Sequence, residues 1–181
     1  MGVELENLLK HDKNFSESKF KSKVENIFIQ IQLAIVTGKI ERIHHFVNEE
    51  TFDKIKLKVK TDAENNRIQI YDELNVANVQ IVNVEEDNDC FKIEAQIFSK
   101  SLEYYIDKNT KEYLSGNNQS RTNKCTFITL KKEKNAKDLN IVRKCPSCGA
   151  NIDINTNGQC KYCHRIFDLE KYDWIVTNLE I

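Results

Sequence analysis

The sequence predicts an α+β fold in which amino-terminal helices cover one face of a curved antiparallel sheet, with a small cysteine-held module appended. Three observations carry this prediction. Apolar residues recur at steps of three and four across residues 16–37, valine- and isoleucine-rich alternating segments follow residue 66, and two Cys-x-x-Cys pairs stand near the carboxyl end.

Each element has its own signal. Phe20, Val24, Ile27, Phe28, Ile31, Ala34 and Ile35 form one wide helical stripe, with Ser16 as N-cap and Gly38 as the stop. Ile40, Ile43, Phe46 and Val47 suggest a short second helix. Residues 49–66 carry two patterns. Phe52, Ile55, Val59 and Ala63 fit a helix, whereas Ile55, Leu57 and Val59 alternate with lysines as a strand would, and the helical spacing is the better match.

Beyond Asn66 the character is β. Residues 74–85 form a strand closed by the turn Asp87-Asn88-Asp89. Residues 90–107 read as a long strand with Phe91, Ile93, Ala95 and Ile97 on one face. Its apolar set then changes parity to Leu102, Tyr104 and Ile106, which predicts a bulge near residues 98–101 and a bend around a cavity. Residues 108–118 read as a polar connection. Residues 125–130 are apolar on both faces, as in a central buried strand, and Cys90 and Cys125 read as small buried hydrophobes. Residues 172–181, with Trp174, Ile175, Val176 and Leu179, form a closing strand. The domain limits are therefore 14–143 for the α+β body, 144–166 for the cysteine module and 167–181 for the returning strand.

In that module Cys145 and Cys148 are followed, after eleven residues, by Cys160 and Cys163. A two-residue gap lets a tight turn aim both sulfurs at one tetrahedral cation, and two such knuckles close a four-thiolate zinc site, a zinc ribbon holding one Zn2+. Rubredoxin-type iron and redox-active pairs are the competing readings. Four thiolates leave no open coordination position, so the ion is structural. His164 follows the last cysteine and reads as a surface residue.

Composition excludes several function classes. The chain has 27 Lys and Arg against 28 Asp and Glu, and residues 144–181 hold four basic and five acidic side chains. Neither the whole nor the ribbon carries the basic footprint of a nucleic-acid binder, so no nucleic acid is expected as a partner. No stretch approaches the ~20 apolar residues of a bilayer span, and the acidic start lacks the features of a signal peptide, so the sequence as it stands reads as cytoplasmic. No Gly-x-Ser-x-Gly elbow, phosphate-binding glycine loop or His-Glu-x-x-His is present. His44 and His45 are adjacent and on a helix would point ~100° apart; Glu94 and Asp107 suit acid–base work by residue type alone.

Several pieces in sequence order resemble the bacterial branch of the family named for subunit 44 of the mitochondrial inner-membrane translocase. They are Asn14-Phe15-Ser16-Glu17 and the helix after it, the Gly38 stop, Phe46 before an acidic helix start, and the long bent strand. Tyr105-Ile106-Asp107 with Ser115-Gly116 resembles that family's tyrosine-rich hairpin, and the ribbon closes on Tyr172-Asp173-Trp174. The resemblance implies a cone-like body of the nuclear-transport-factor-two class, with helices and sheet enclosing a large apolar pocket. The mitochondrial relative is a peripheral membrane protein that recruits a chaperone and touches acidic lipids. The region that recruits the chaperone and the anchoring segment of many bacterial relatives have no counterpart in this sequence, so import itself does not carry over.

Two function classes follow. The first is a non-enzymatic binding or adaptor module, taking a lipid-like ligand or a protein partner. Its candidate pocket lining is Phe91, Phe98, Tyr104 and Phe127, although the plainer reading of all four is core packing. A peripheral variant would set Lys54, Lys56, Lys58 and Lys60 against anionic lipid, with Lys56 and Lys60 on one helix face. The second class is a small hydrolase or isomerase on the same pocketed fold, for which the sequence supplies little; a non-enzyme is expected.

Overall fold

The structure, a computed structural model, describes residues 3–13, 15–134, 136 and 173–181. Helix α1 (Val3–His11) precedes the long α2 (Glu17–Thr37), whose ends are those the sequence signals. Ser16 is extended, and its hydroxyl accepts the Lys19 N–H. Gly38 closes the helix at φ 68°, a left-handed conformation that a glycine takes without steric cost. The predicted stripe of α2 is buried from Phe20 to Ile35.

Only one turn of 3-10 helix, Ile40–Ile43, forms where a second helix is expected, and of its residues Ile43 alone is buried. The chain then runs out to an isolated parallel bridge, Val47↔Val176, which claims the backbone a longer helix would need. Helix α3 (Glu49–Glu64) decides the ambiguous segment. Asn48 caps it by accepting the Thr51 N–H at 3.0 Å, and Ile55 is buried while Leu57 is 64% exposed, a separation that the alternating pattern conceals.

The sheet is a meander of β1 (Arg67–Glu86), β2 (Cys90–Asp107), β3 (Tyr113–Glu133) and β4 (Ile175–Leu179), ordered β1-β2-β3-β4 with every pair antiparallel. β1 begins at Arg67 rather than at residue 74. β3 begins at Tyr113, so most of the expected polar connection is strand. Gly116 lies inside it at φ 104°, where an added Cβ would stand 2.6 Å from the Glu103 carbonyl oxygen and the Tyr104 Cα.

The bend also sits differently from the expectation. β2 keeps one inward parity through Ser101, burying Phe91, Ile93, Ala95, Ile97, Ser99 and Ser101. The extra residues belong to its neighbours. β1 slips between Asp72 and Asn75 and again between Val76 and Asn78, with Glu73 at φ 50°; β3 slips between Thr122 and Asn117 opposite Ser101 and Glu103. The Asn117 side-chain oxygen accepts the Gln119 and Ser120 N–H groups and holds the added β3 residues in place. Bulges of this kind bend and twist a strand pair.

The core lies between the sheet and the helices. Ile93, Ile97, Ile128, Leu130 and Val176 share the inward face with Val24, Ile27, Ile31, Ile55 and others of the buried cluster. Trp174 completes it, meeting the Phe20 ring edge-on at 5.2 Å and the Phe15 ring at 6.1 Å. Residues 137–172 connect β3 to β4; the ribbon predicted for 144–166, with its four cysteines, lies outside the described residues, as does Tyr172.

Gly116→Ala forces both a left-handed strain and a backbone collision. It is expected to lower stability by about 2 kcal/mol, read as a reduced urea midpoint with an unchanged slope.

Candidate functional site

The alternation of β2 decides where the predicted aromatic residues go. Phe91 turns inward, beside the His11 ring at 5.6 Å and beneath the Lys134 ammonium at 5.3 Å. It helps line a cavity of about 300 Å3 with Leu8, His11, Asp12, Lys132 and Lys134. The walls of this cavity are charged and largely paired: Lys132 binds Asp12 at 2.6 Å and Lys134 binds Glu86 at 2.8 Å.

Phe98 and Phe127 are half-buried on the opposite face, Phe98 level with Cys125 and Phe127 level with Gln96. Tyr104 lies past the bulge, its ring 6.3 Å from that of Tyr113. The four residues therefore do not line one pocket. The expectation for the cysteines divides as well: Cys90 is buried and Cys125 is exposed. Cys125 stands opposite Phe98 on the outward parity of the sheet, while its neighbour Thr126 turns inward and is buried.

The lysine run of α3 is mostly spoken for. Lys54 pairs with Glu50 at 2.8 Å, Lys58 with Asp62 at 2.8 Å, and Lys60 reaches Glu64 at 3.7 Å; Lys56 sits 5.8 Å over the Phe52 ring. Lys56 and Lys60 keep a common exposed face, and Leu57 is exposed beside it.

A network that the sequence reading did not single out anchors α3 to the sheet. Asp62, only 8% exposed, accepts hydrogen bonds from Lys58 and from Arg67 Nε, both at 2.8 Å. The Arg67 guanidinium lies 4.3 Å over the Tyr105 ring, and the Tyr105 hydroxyl donates to the Gln69 side-chain oxygen at 3.3 Å. Burial alone would raise the Asp62 pKa, but the hydrogen bonds and positive charges of Lys58 and Arg67 outweigh it and hold the carboxyl below its ordinary value. Burial, with the Glu103 charge behind it, pushes the neighbouring Tyr71 hydroxyl upward, keeping it neutral. The available signal was the i,i+4 spacing of Lys58 and Asp62; the third member, Arg67, enters only through the helix-to-strand turn.

Of the residues weighed for acid–base work, Asp107 is committed to the turn and His44 Nε2 lies 3.2 Å from the Glu49 carboxylate. Asp107 accepts the Asn109 and Thr110 N–H groups and the Asn66 side-chain amide, which makes it the cap of the β2–β3 turn. His44 stacks on Phe52 and His45 on Phe46. Among the described residues, no group of three or more His, Cys, Asp or Glu side chains is placed to hold a metal, and no helix is long and apolar enough to cross a membrane.

The family model of the Tim44-like domain matches residues 2–140. No curated protein matches the chain.

Asp62→Asn removes a charge from between two cations that stay in place. A loss of about 2 kcal/mol is expected at pH 7. Because the folded pKa lies below the unfolded value of 3.8, the Asp62 contribution is complete above that value and lost as the pH falls through the folded one. Urea titrations of the two proteins should therefore converge below about pH 4.

Proposed function

The chain belongs to the Tim44-like domain family, and from that footing we propose that it is a non-catalytic binding module whose α+β body carries a zinc-held knuckle pair as its partner-facing part. The observation that supports this reading is the seating of β4. Lys131 pairs with Ile175 while Val176 is bonded to residues 46 and 48, so the segment 137–172 is attached to the folded body at both ends. Those attachments lie on neighbouring strands, ~5 Å apart.

The donor set supports zinc. Cys145, Cys148, Cys160 and Cys163 supply four thiolates at the spacing that a closed tetrahedral site uses, and such a site stabilises a fold without activating water. A protein partner suits the body better than an enclosed lipid-like ligand. The four aromatic residues that would have lined an apolar pocket are divided between the two faces of the sheet, and the helix-facing side is filled by side chains of the core.

A second reading is favoured by one observation. Leu57, 64% exposed on α3 beside the face of Lys56 and Lys60, has the layout of a residue that dips into a lipid interface while the cations meet anionic headgroups. It would make the module peripheral to a membrane, in keeping with its family.

Native mass spectra of metal-free-purified protein should show a mass excess of one zinc that disappears on denaturation and is absent from Cys160→Ser. An apo mass with all six thiols titrating freely would sink the zinc reading. Flotation with phosphatidylglycerol vesicles at low salt tests the membrane variant. At ~1 kcal/mol per lysine, Lys56→Glu with Lys60→Glu should weaken binding at least tenfold, and Leu57→Asp should also weaken it; equal flotation of all three proteins would refute it.

A further inference from the structure

The link between α2 and α3 is the part of the helical layer that bonds directly to β4. The Val176 N–H donates to the Phe46 carbonyl and the Asn48 N–H to the Val176 carbonyl, each at 2.9 Å. On its other side Val176 is paired with Leu130. β4 is thus gripped between a strand and a link, and the link carries His44 and His45 immediately before the grip.

Both imidazoles have a buried ring nitrogen, and the surroundings of His45 oppose its protonation. The Nδ1 atoms of His44 and His45 are buried without a hydrogen-bond partner. His44 Nε2 lies 3.2 Å from the Glu49 carboxylate.

His45 is held further by its charged neighbours. His44 and the Lys23 ammonium on α2 oppose a positive charge there, and burial opposes it more strongly; together they lower its pKa from the ordinary 6.5. Lys23 cannot swing away freely, because it is ion-paired with Asp173, whose other oxygen accepts the Trp174 N–H at 2.7 Å. The anions around the link are therefore both engaged, Glu49 with His44 and Asp173 with Lys23. Glu41 and Arg42, on the 3-10 turn, are exposed.

We propose that the 44–48 link is an acid-sensitive latch: uptake of a proton at His45 withdraws the link from Val176 and releases β4, while β1, β2 and β3 stay folded. The sign follows from the geometry. The folded state prefers neutral His45, so the latch is secure above the ordinary value of 6.5 and weakens as the pH falls below it. β4 is the element that yields because it has four residues in register with β3 and an exposed far end. Opening it unseats Trp174 from Phe20 and Phe15 and frees one of the two attachments of residues 137–172.

Amide hydrogen exchange at pH 7.5 and 5.5, corrected for the intrinsic chemical rate, reads the two parts separately. Exchange across residues 174–180 should rise about tenfold at pH 5.5, the change expected for one coupled proton over one pH unit below its ordinary value. Exchange in residues 93–97 of β2 should not change. Emission of Trp174, the only tryptophan of the chain, should shift to the red over the same range, and His45→Gln should abolish both responses. The proposal is overturned by a pH-independent rate in residues 174–180, by β2 opening in step with β4, or by a pH response that survives in His45→Gln. An NMR titration of the wild-type protein gives a test that needs no variant: a His45 midpoint below 6.5 supports the latch, and one at or above 6.5 removes its basis.

Discussion

Ile93, Ile97 and Ile128 stay out of water only while α2 lies across them, and α2 stays helical in that place only while it has them to cover. This mutual burial is the interaction on which the rest of the structure depends. In a protein most of a helix's stability comes from packing its apolar face, and a sheet with one apolar face is an aggregation template until something covers it. The other elements attach to the pair. α3 adds Phe52 and Ile55, Leu8 of α1 closes one corner, and Trp174 closes the end where Phe15 and Phe20 leave a gap.

Where the sequence pattern is strictly local, it was legible. The stripe of α2, its Ser16 and Gly38 ends, and the limits of β2 follow from spacing and cap chemistry alone. α3 follows less directly, since Ile55, Leu57 and Val59 suit either period until Leu57 is seen to be exposed. The parts that were not legible depend on pairing between strands. The polarity change after Ser101 is visible in β2, yet the inserted residues belong to β1 and β3, because a bulge is a property of a register and not of one strand. Cys125 shows the same limit. It lies on the outward parity with Phe98 and Phe127, and its exposure depends on what covers that face of the sheet, which residue 125 does not encode.

The site residues divide in a similar way. The cysteine spacing is a chemical signature that needs no fold to interpret, whereas the aromatic residues required one. Phe91 and Phe98 are seven residues apart on a strand without a break between them, so they face opposite sides whatever else is true. The lysines of α3 looked like a basic patch when counted along the chain. On the helix most of that charge is neutralised by acids four residues away, and the cation that matters most, Lys58, is turned inward to share Asp62 with Arg67. Charge along a sequence and charge on a surface are different quantities.

The wide interval between β3 and β4 has a consequence for how the protein is made. The sheet is finished by residues 174–179, whereas β3 ends at residue 133. At a synthesis rate of about 5–20 residues per second, the body waits seconds on the ribosome with its Val176 and Trp174 sites uncovered. During that wait the outer edge of β3 from residue 128 to 131 is open, and the apolar floor beneath it is wet. The chain therefore closes late and by a long loop, a route that loop-closure entropy makes slow. The unit that family similarity delimits, residues 2–140, is thus shorter than the unit that can complete its own core.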